Sequence, residues 1–165
     1  PNDPNLYGFK ICNVPRVTCA APDYLNKYGV PQHPNDLISH NGLLYQLGDI
    51  IYDVWEFSHL KETIKVKMQS NRASNDAELV RRWCVSGKGI ATKSCLDMSN
   101  DLLKDTVVPL LSEFAAKPTE LWLICPSRQT ITPPVRLLRE HLRIKCACVL
   151  KQLVNKGILT KEQTI

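Results

Sequence analysis

Apolar and polar residues alternate along this chain with two different periods, and these periods predict an alternation of strands and helices. Short apolar runs at residues 16–21 and 121–125 predict buried strands. From Val135 onward the apolar positions step by three or four residues, which predicts a long amphipathic helix that ends at Gly157. Strands that alternate with helices are typical of an α/β fold.

A hairpin is predicted in the first half of the chain, because apolar and polar residues alternate over 53–58 and again over 63–69. Such alternation is typical of strands with one buried face. Aromatic residues in strands pack in a core more often than they line a ligand cleft. We expect one buried face to carry Val54, Ile64, Val66 and Met68, with Trp55 and Phe57 on the other face of their own strand.

Residues 74–91 combine a helix start, an amphipathic helix, a glycine-bounded turn and a strand. Asn75 is expected to cap the helix and Glu78 to bind the Asn75 amide in return, so the helix should begin near Asn75. Glu78 also stands four residues before Arg82, a spacing that favours an ion pair. The apolar stripe expected to face a core consists of Leu79, Val80, Trp83 and Cys84.

Two glycines bound the turn that follows this helix. Gly87 and Gly89 flank Lys88, which predicts a left-handed helix stop and then a close approach to another backbone before Ile90 opens a strand. Polar residues also gather at the helix start, where unpaired amides can bind an anion or another ligand. Capping alone explains Asn75 equally well, so both interpretations of the helix start stay open.

Two further segments have weaker patterns. Residues 1–15 contain three prolines and no strong periodicity, which is typical of a linker or a hinge strand, so regular structure is expected from Arg16. Segment 106–111 is β-branched and apolar but holds Pro109. Because proline cannot donate to a strand ladder, this segment is expected to be an edge or crossing strand.

The composition is that of an ordinary globular protein. Of the 165 residues, 44% are hydrophobic and 22% are charged, and no apolar run reaches the length of about 20 residues that a membrane span needs. The net charge is +5, but Lys and Arg are spread along the chain, which argues against direct nucleic-acid binding. Because the chain begins without Met or a signal segment, we expect a piece of a longer cytoplasmic protein that has no membrane contact.

No motif of catalysis or metal binding stands out. The sequence lacks GxSxG, HExxH and GxGxxG patterns, and SGKG lacks the earlier glycine of a Walker loop. Seven cysteines stand in apolar runs without a CxxC pair, which favours reduced, buried thiols over a zinc site. Among the four histidines, His40 stays a candidate because it precedes Gly42 at a strand entrance. We predict no catalysis, no cofactor and no metal.

Several segments, taken together and in order, resemble the effector-binding (substrate-binding) domain of LysR-type transcriptional regulators. Each segment is weak alone, and the ordered set is specific. Lys88 departs from the pattern, because the family usually has an apolar residue there, and the tail with CAC at 146–148 has no counterpart in it. The segments are RVTCAAPDYLNKYGVPQHPNDLISHNGLLY, the W-x-F of Trp55 and Phe57, SNDAELVRRWCVSGKGIA, VVPLL and LWLICPSRQTITPPVRLLREHL.

The resemblance implies an α/β fold of the bilobal, type 2 periplasmic-binding-protein-like class, truncated at its N-terminus. The family's N-terminal winged helix-turn-helix and the first part of its first lobe would be missing. Strand 121–125 would then lack a neighbour in its own chain and expose an unpaired edge. The implied division is a hinge or linker strand at 1–15, an effector-binding second lobe at 16–105, a crossover and return to the first lobe at 106–157, and a tail at 158–165.

The resemblance also implies a site and a function. A small effector would bind in the cleft between the lobes, and Arg72 or Lys88 would favour an anionic one. Effector binding would control DNA-bound oligomers through a homo-oligomer, a dimer or tetramer, with DNA bound only through the winged helix-turn-helix. The alternative is a periplasmic solute-binding protein of a transporter, against which the missing signal segment and the seven cysteines count. By position, the ligand-binding residues would be Ala20, Ala21, His40, Asn41, Ser74, Asn75, Gly87, Gly89 and Ile90.

Overall fold

A computed structural model describes residues 4–165. The chain divides into two units, and the larger unit extends from Pro15 to Lys117. The smaller unit joins the residues up to Val14 to Pro118–Ile165. The first three residues of the predicted 1–15 linker lie outside the described range. The strands are β1 (Tyr7–Val14), β2 (Arg16–Ala20), β3 (Asn41–Leu47), β4 (Ile50–Ile51), β5 (Val54–His59), β6 (Glu62–Lys67), β7 (Gln69–Ser74), β8 (Ala91–Ser94), β9 (Val108–Leu110), β10 (Ala115–Ala116) and β11 (Thr119–Cys125). The helices are α1 (Pro22–Tyr28), α2 (Ala77–Val85), α3 (Ser99–Leu103) and α4 (Pro133–Asn155), with short 3-10 helices at Pro34–Ser39, Arg128–Thr130 and Glu162–Thr164.

Three small sheets build the larger unit. β2 lies between β8 and β9, β3 lies between β4 and β7, and β5 lies between β6 and β10. β3 and β7 run parallel, whereas the other strand pairs of these sheets are antiparallel. The expected edge strand around Pro109 is confirmed, since β9 lies at the edge of its sheet. The sheets share a core whose most buried large side chains include Leu37, Leu44, Phe57, Val66, Met68 and Ile90.

The hairpin of β5 and β6 buries the face of β5 opposite to the one expected. Its register places Trp55 opposite Val66 and Phe57 opposite Ile64, and residues directly opposite each other lie on one face of the sheet. Trp55 is 7% exposed and Phe57 1% exposed, whereas Val54 is 51% exposed. The expectation that Val54 faces the core is therefore wrong, and the preference for a core role of the two aromatic residues is confirmed.

α2 begins one residue later than the capping pattern suggested. Its N-cap is Asp76, whose Oδ1 accepts hydrogen bonds from the amides of Glu78 and Leu79 at 3.0 and 3.3 Å. Ser74 Oγ accepts from the Asp76 amide at 3.0 Å and so holds the turn in place. The predicted Asn75 cap is wrong, because the adjacent aspartate caps as well and its charge also interacts favourably with the helix dipole. The carboxylate already satisfies two amides of the first turn.

Two thiols join α2 to β2. Cys84 is fully buried, and its Sγ lies 4.0 Å from Cys19 Sγ. The hydrogen bond with Cys84, together with burial, raises the pKa of Cys19 well above its ordinary value. Cys19 therefore stays protonated, and the two thiols pack as small apolar groups. On the exposed side of α2, Glu78 forms the predicted ion pair with Arg82 at 3.5 Å.

The turn after α2 brings the chain against β3. Gly87 has a φ of +76°, and a Cβ placed on Gly89 would lie 2.5 Å from the carbonyl oxygen of Asn41. The Ile90 amide donates to this carbonyl at 2.9 Å, and the Leu43 amide donates to the Ile90 carbonyl at 2.8 Å. Both predicted roles, the left-handed stop and the close approach, are confirmed, and β8 begins one residue after Ile90.

β1 and β11 form an antiparallel two-stranded sheet in the smaller unit, with Tyr7 opposite Cys125 and Val14 opposite Thr119. Regular structure thus begins before Arg16, and the prediction of an unpaired strand at 121–125 is wrong because β1 supplies a neighbour. The predicted long amphipathic helix is confirmed as α4, which ends at Asn155, two residues before Gly157, and buries Cys146, Leu150 and Leu153. Across residues 4–165 no helix, α4 included, combines the length and apolarity needed to cross a bilayer.

Replacing Asp76 with alanine should lower the free energy of unfolding by about 1 kcal/mol, because two first-turn amides lose their acceptor. Urea denaturation measures this loss. Asn75→Ala is the matched control one residue away, and it should change the free energy of unfolding by less than about 0.5 kcal/mol. Equal losses in the two variants would restore Asn75 as the cap.

Gly89→Ala should lower the free energy of unfolding by about 1–3 kcal/mol, because the new methyl group meets the Asn41 carbonyl and the turn must move away from β3. Gly48→Ala is the comparison that adds backbone strain without a new contact: Gly48 has a φ of +58° and no atom within 4 Å of its ideal Cβ, whereas Gly89 is not among the glycines with a positive φ. That variant should cost about 1 kcal/mol without steric conflict. A Gly89→Ala protein as stable as the wild type would contradict the close approach.

Candidate functional site

A polar cavity of about 400 Å³ opens on the larger unit beside the start of β3. Helix α1, the residues that lead into β3, the beginning of β7 and the turn after α2 form its walls. Its volume lies in the range of roughly 300–1,000 Å³ that is typical of small-molecule sites. The lining residues are Tyr24, Tyr28, Ser39, His40, Asn41, Gln69, Ser70, Asn71 and Lys88.

The hydroxyl group of Tyr24 connects α1 to the start of β3. It lies 2.9 Å from His40 Nδ1, and the backbone N–H of Asn41 donates to it at 3.2 Å. Tyr24 is 3% exposed and His40 is 8% exposed. Because buried polar groups need hydrogen-bond partners, these three groups satisfy one another at the wall of the cavity.

Burial keeps the His40 imidazole and the Tyr24 phenol uncharged. It lowers the pKa of the His40 imidazole, an effect that the Asp36 carboxylate partly opposes. Burial also raises the pKa of the Tyr24 phenol, against the smaller effect of the hydrogen bond from the Asn41 amide. Both shifts favour the neutral form, so a neutral imidazole faces a neutral phenol near pH 7.

The side chain of Asn41 ties three segments together at the rim of the cavity. Its Nδ2 donates to Asn71 Oδ1 at 3.0 Å and to the Lys88 carbonyl at 2.8 Å. Its Oδ1 accepts from the Asn71 amide at 3.0 Å. β3 and β7 pair in parallel at this point. Asn41 therefore uses both ends of its amide within the protein and acts as a brace.

Hydrogen-bond donors dominate the polar groups left for a ligand. Lys88 is exposed and supplies a positive charge, and among the described lining residues there is no carboxylate. Arg72 lies beside the lining, where its Nε donates to Asn71 Oδ1 at 3.0 Å and its guanidinium stacks on Trp83 at 5.4 Å. In the part of the chain that the structure describes, no group of three or more His, Cys, Asp or Glu is placed to hold a metal ion.

Five of the site residues expected from the sequence gather around this cavity. His40 and Asn41 line it directly. Gly87, Gly89 and Ile90 build the turn on its rim, and the contact between Gly89 and the Asn41 carbonyl holds that turn in place. The structure therefore joins two segments that are well separated in the sequence.

The other four expected residues lie elsewhere. Ala20 is fully buried, and Ala21 is the N-cap residue of α1, behind the cavity wall. Ser74 and Asn75 lie at and just beyond the end of β7, whereas Gln69 at its start lines the cavity. A strand of this length separates its two ends by roughly 16 Å. A ligand-binding role for these four residues stays a prediction.

Sequence reasoning did not single out Tyr24, Tyr28, Gln69 and Asn71. The tyrosines had a readable signal, since a spacing of four residues puts both on one face of a short helix. The two amides had none, because their place depends on the parallel register between β3 and β7. Lys88 was singled out as a departure from the family pattern and as a cation that would favour an anionic effector.

Known proteins match this chain over most of its length. The family model of the LysR substrate binding domain matches residues 1–147. The HTH-type transcriptional regulator DmlR of Escherichia coli K12 is 31% identical over 140 residues, which cover 85% of this chain and 45% of that regulator. The HTH-type transcriptional activator TtdR of the same strain is 34% identical over 131 residues, 79% of this chain and 42% of the activator. The chain thus spans less than half the length of either relative.

Solved structures share the fold. The regulatory domain of CrgA, a LysR-type transcriptional regulator from Neisseria meningitidis, superposes with a TM-score of 0.74 at 23% identity over 88% of this chain and 71% of that one. For the regulatory domain of AphB from Vibrio vulnificus the TM-score is 0.66 at 23% identity, over 85% of this chain and 69% of that one. These matches confirm the predicted α/β fold of the bilobal, type 2 periplasmic-binding-protein-like class, and the regulator relatives do not favour the transporter alternative. The chain belongs to the LysR substrate-binding domain family.

Proposed function

We propose that this chain is the effector-sensing part of a LysR-type transcriptional regulator and that the cavity beside β3 binds a small anionic effector. The lining carries this proposal: it offers the Lys88 ammonium and several neutral donors, and its described residues include no carboxylate. Charge-assisted hydrogen bonds from such donors to a carboxylate or phosphate are stronger than neutral ones.

Lys88 gives the site a feature of its own. The resemblance to the family leads one to expect an apolar residue at this position, so the positive charge belongs to this chain rather than to the shared pattern. Its backbone is fixed from both sides, by the hydrogen bond from Asn41 Nδ2 and by the neighbouring Gly89. A cation on a braced turn can set effector preference without any change in the fold.

The effector would act by shifting a conformational population. A ligand moves an equilibrium only by the difference between its affinities for the two states. The cavity is bounded by α1, β3, β7 and the turn after α2, so an anion that contacts several of these segments favours the arrangement in which they lie close together. Coupling between that arrangement and a DNA-bound oligomer would make the response allosteric.

The remaining parts of the function follow from this role. DNA would be contacted by a helix-turn-helix of the kind named in the relatives DmlR and TtdR, and not by this chain. The chain would work within a dimer or tetramer in the cytoplasm and would carry out no catalysis. The assignment of both relatives as transcriptional regulators supports these points.

Calorimetry with a panel of small carboxylates and phosphates tests the proposal. We expect at least one of these anions to bind, and neutral amides or esters of matching size not to bind. Lys88→Gln should weaken binding of that anion about tenfold or more, because a hydrogen bond to a charged group contributes about 1.5–3 kcal/mol.

The matched control is Lys65→Gln, which removes the same charge from an exposed position on β6 in the same unit. It should leave the dissociation constant unchanged. Equal weakening in the two variants would reduce the role of Lys88 to net charge. A panel in which only neutral compounds bind would contradict an anionic effector.

A further inference from the structure

The hydrogen-bonded group formed by Tyr24, His40 and Asn41 determines where one proton lies. The Asn41 backbone N–H donates to the Tyr24 hydroxyl oxygen, and this direction is fixed because an amide nitrogen is only a donor. His40 Nδ1 lies 2.9 Å from the same oxygen and is either an acceptor or a donor, depending on the imidazole tautomer.

The two tautomers are not equivalent here. If Nδ1 carried the proton, the Tyr24 oxygen would accept two hydrogen bonds, and its own proton would have no acceptor among the described residues. A buried hydroxyl without a partner costs about 1–3 kcal/mol. If Nδ1 is unprotonated, the hydroxyl donates to it, and every polar atom of the group is satisfied. This arrangement places the imidazole proton on Nε2.

The Nε2 atom of His40 remains accessible. Within residues 4–165 it has no hydrogen-bond partner, yet it is not among the polar atoms sealed from solvent, and His40 lines the cavity. We propose that Tyr24 is a positioning residue that holds His40 in the Nε2–H tautomer, so that a neutral imidazole donates a hydrogen bond to an anion in the cavity. The claim that the ligand is an anion rests on the proposed function, whereas the claim about the His40 tautomer does not.

The charges around His40 are consistent with this role. The Asp36 carboxylate is the charged group that raises its pKa, and burial outweighs it. Burial favours the neutral form of the Tyr24 phenol, and the charged side chain among the lining residues is the Lys88 ammonium. The site therefore combines one cation with one neutral, oriented donor.

The first experiment measures the tautomer directly by long-range ¹H–¹⁵N NMR of the imidazole at pH 7.5. In the wild type we expect a protonated Nε2 and an unprotonated Nδ1. In Tyr24→Phe, where the hydroxyl proton is removed, we expect the signals to move toward a mixture of tautomers. Tyr28→Phe is the matched control, because it removes the hydroxyl group of a second cavity tyrosine whose ring centroid lies 4.8 Å from that of Tyr24. It should leave the spectrum unchanged.

A wild-type protein with its proton on Nδ1 would overturn the proposal, and this measurement needs no variant to fold. A spectrum that Tyr24→Phe leaves unchanged would overturn it as well, provided that circular dichroism shows the variant folded.

The second experiment follows the amide shifts of Asn71 and Lys88 during titration with acetate and with inorganic phosphate. Tyr24→Phe should weaken binding by the factor by which it lowers the population of the Nε2–H tautomer in the NMR spectrum, about twofold for an equal mixture, since only that tautomer donates to the anion. His40→Gln supplies an amide donor near the Nε2 position without help from Tyr24. In that background Tyr24→Phe should therefore leave the affinity unchanged, because Gln has no tautomer for Tyr24 to select.

The outcomes of the two experiments separate the two proposals. If neither anion perturbs the wild type while the tautomer behaves as expected, the anionic effector is wrong and the positioning role of Tyr24 stands. In the opposite outcome, the anions bind and Tyr24→Phe weakens their binding by the same factor whether position 40 is His or Gln. In that case the tautomer has no role in binding and the inference fails.

Discussion

The contact between the turn after α2 and the start of β3 is the constraint on which the candidate site depends. A Cβ on Gly89 would lie 2.5 Å from the Asn41 carbonyl oxygen, so only glycine lets the two backbones come this close. This approach allows Asn41 to reach the Lys88 carbonyl and Asn71 at the same time. The cavity therefore exists because a backbone contact, rather than a set of ligand contacts, holds its rim together.

The same brace decides which polar groups remain for a ligand. Asn41 is saturated within the protein, and the hydroxyl groups of Ser39 and Ser70 donate to backbone carbonyls at 2.9 and 2.6 Å. What remains is the imidazole of His40, the ammonium of Lys88, the hydroxyl group of Tyr28 and amide groups on β7. Because donors left without acceptors in a partly buried site are costly, a ligand rich in acceptors gains the most by binding there.

Local sequence spacing predicted the structure correctly at positions that tolerate few residue types. At other positions, contacts between distant segments determine the structure, and local spacing does not reveal them. The two glycines of the turn were readable because other residues do not tolerate those backbone positions. The N-cap was misplaced because Asn75 and Asp76 are equally good caps and tertiary structure chooses between them. Alternation marked two faces of the hairpin without saying which one meets the core. His40 was predictable from its place before a strand, whereas Asn71 reaches the site only through the register of β3 and β7.

A site with one cation and one oriented neutral donor has different selectivity from a site with two cations. A second positive charge would attract any anion, over a distance set by screening, and would have to be desolvated on binding. A neutral N–H donor attracts little at long range, but its strength depends steeply on the angle and distance to the acceptor. Lys88 would then determine that the ligand is an anion, and the geometry imposed on His40 by Tyr24 would determine which anion fits. Discrimination between effectors of equal charge would therefore depend on a buried phenol that need not touch the ligand.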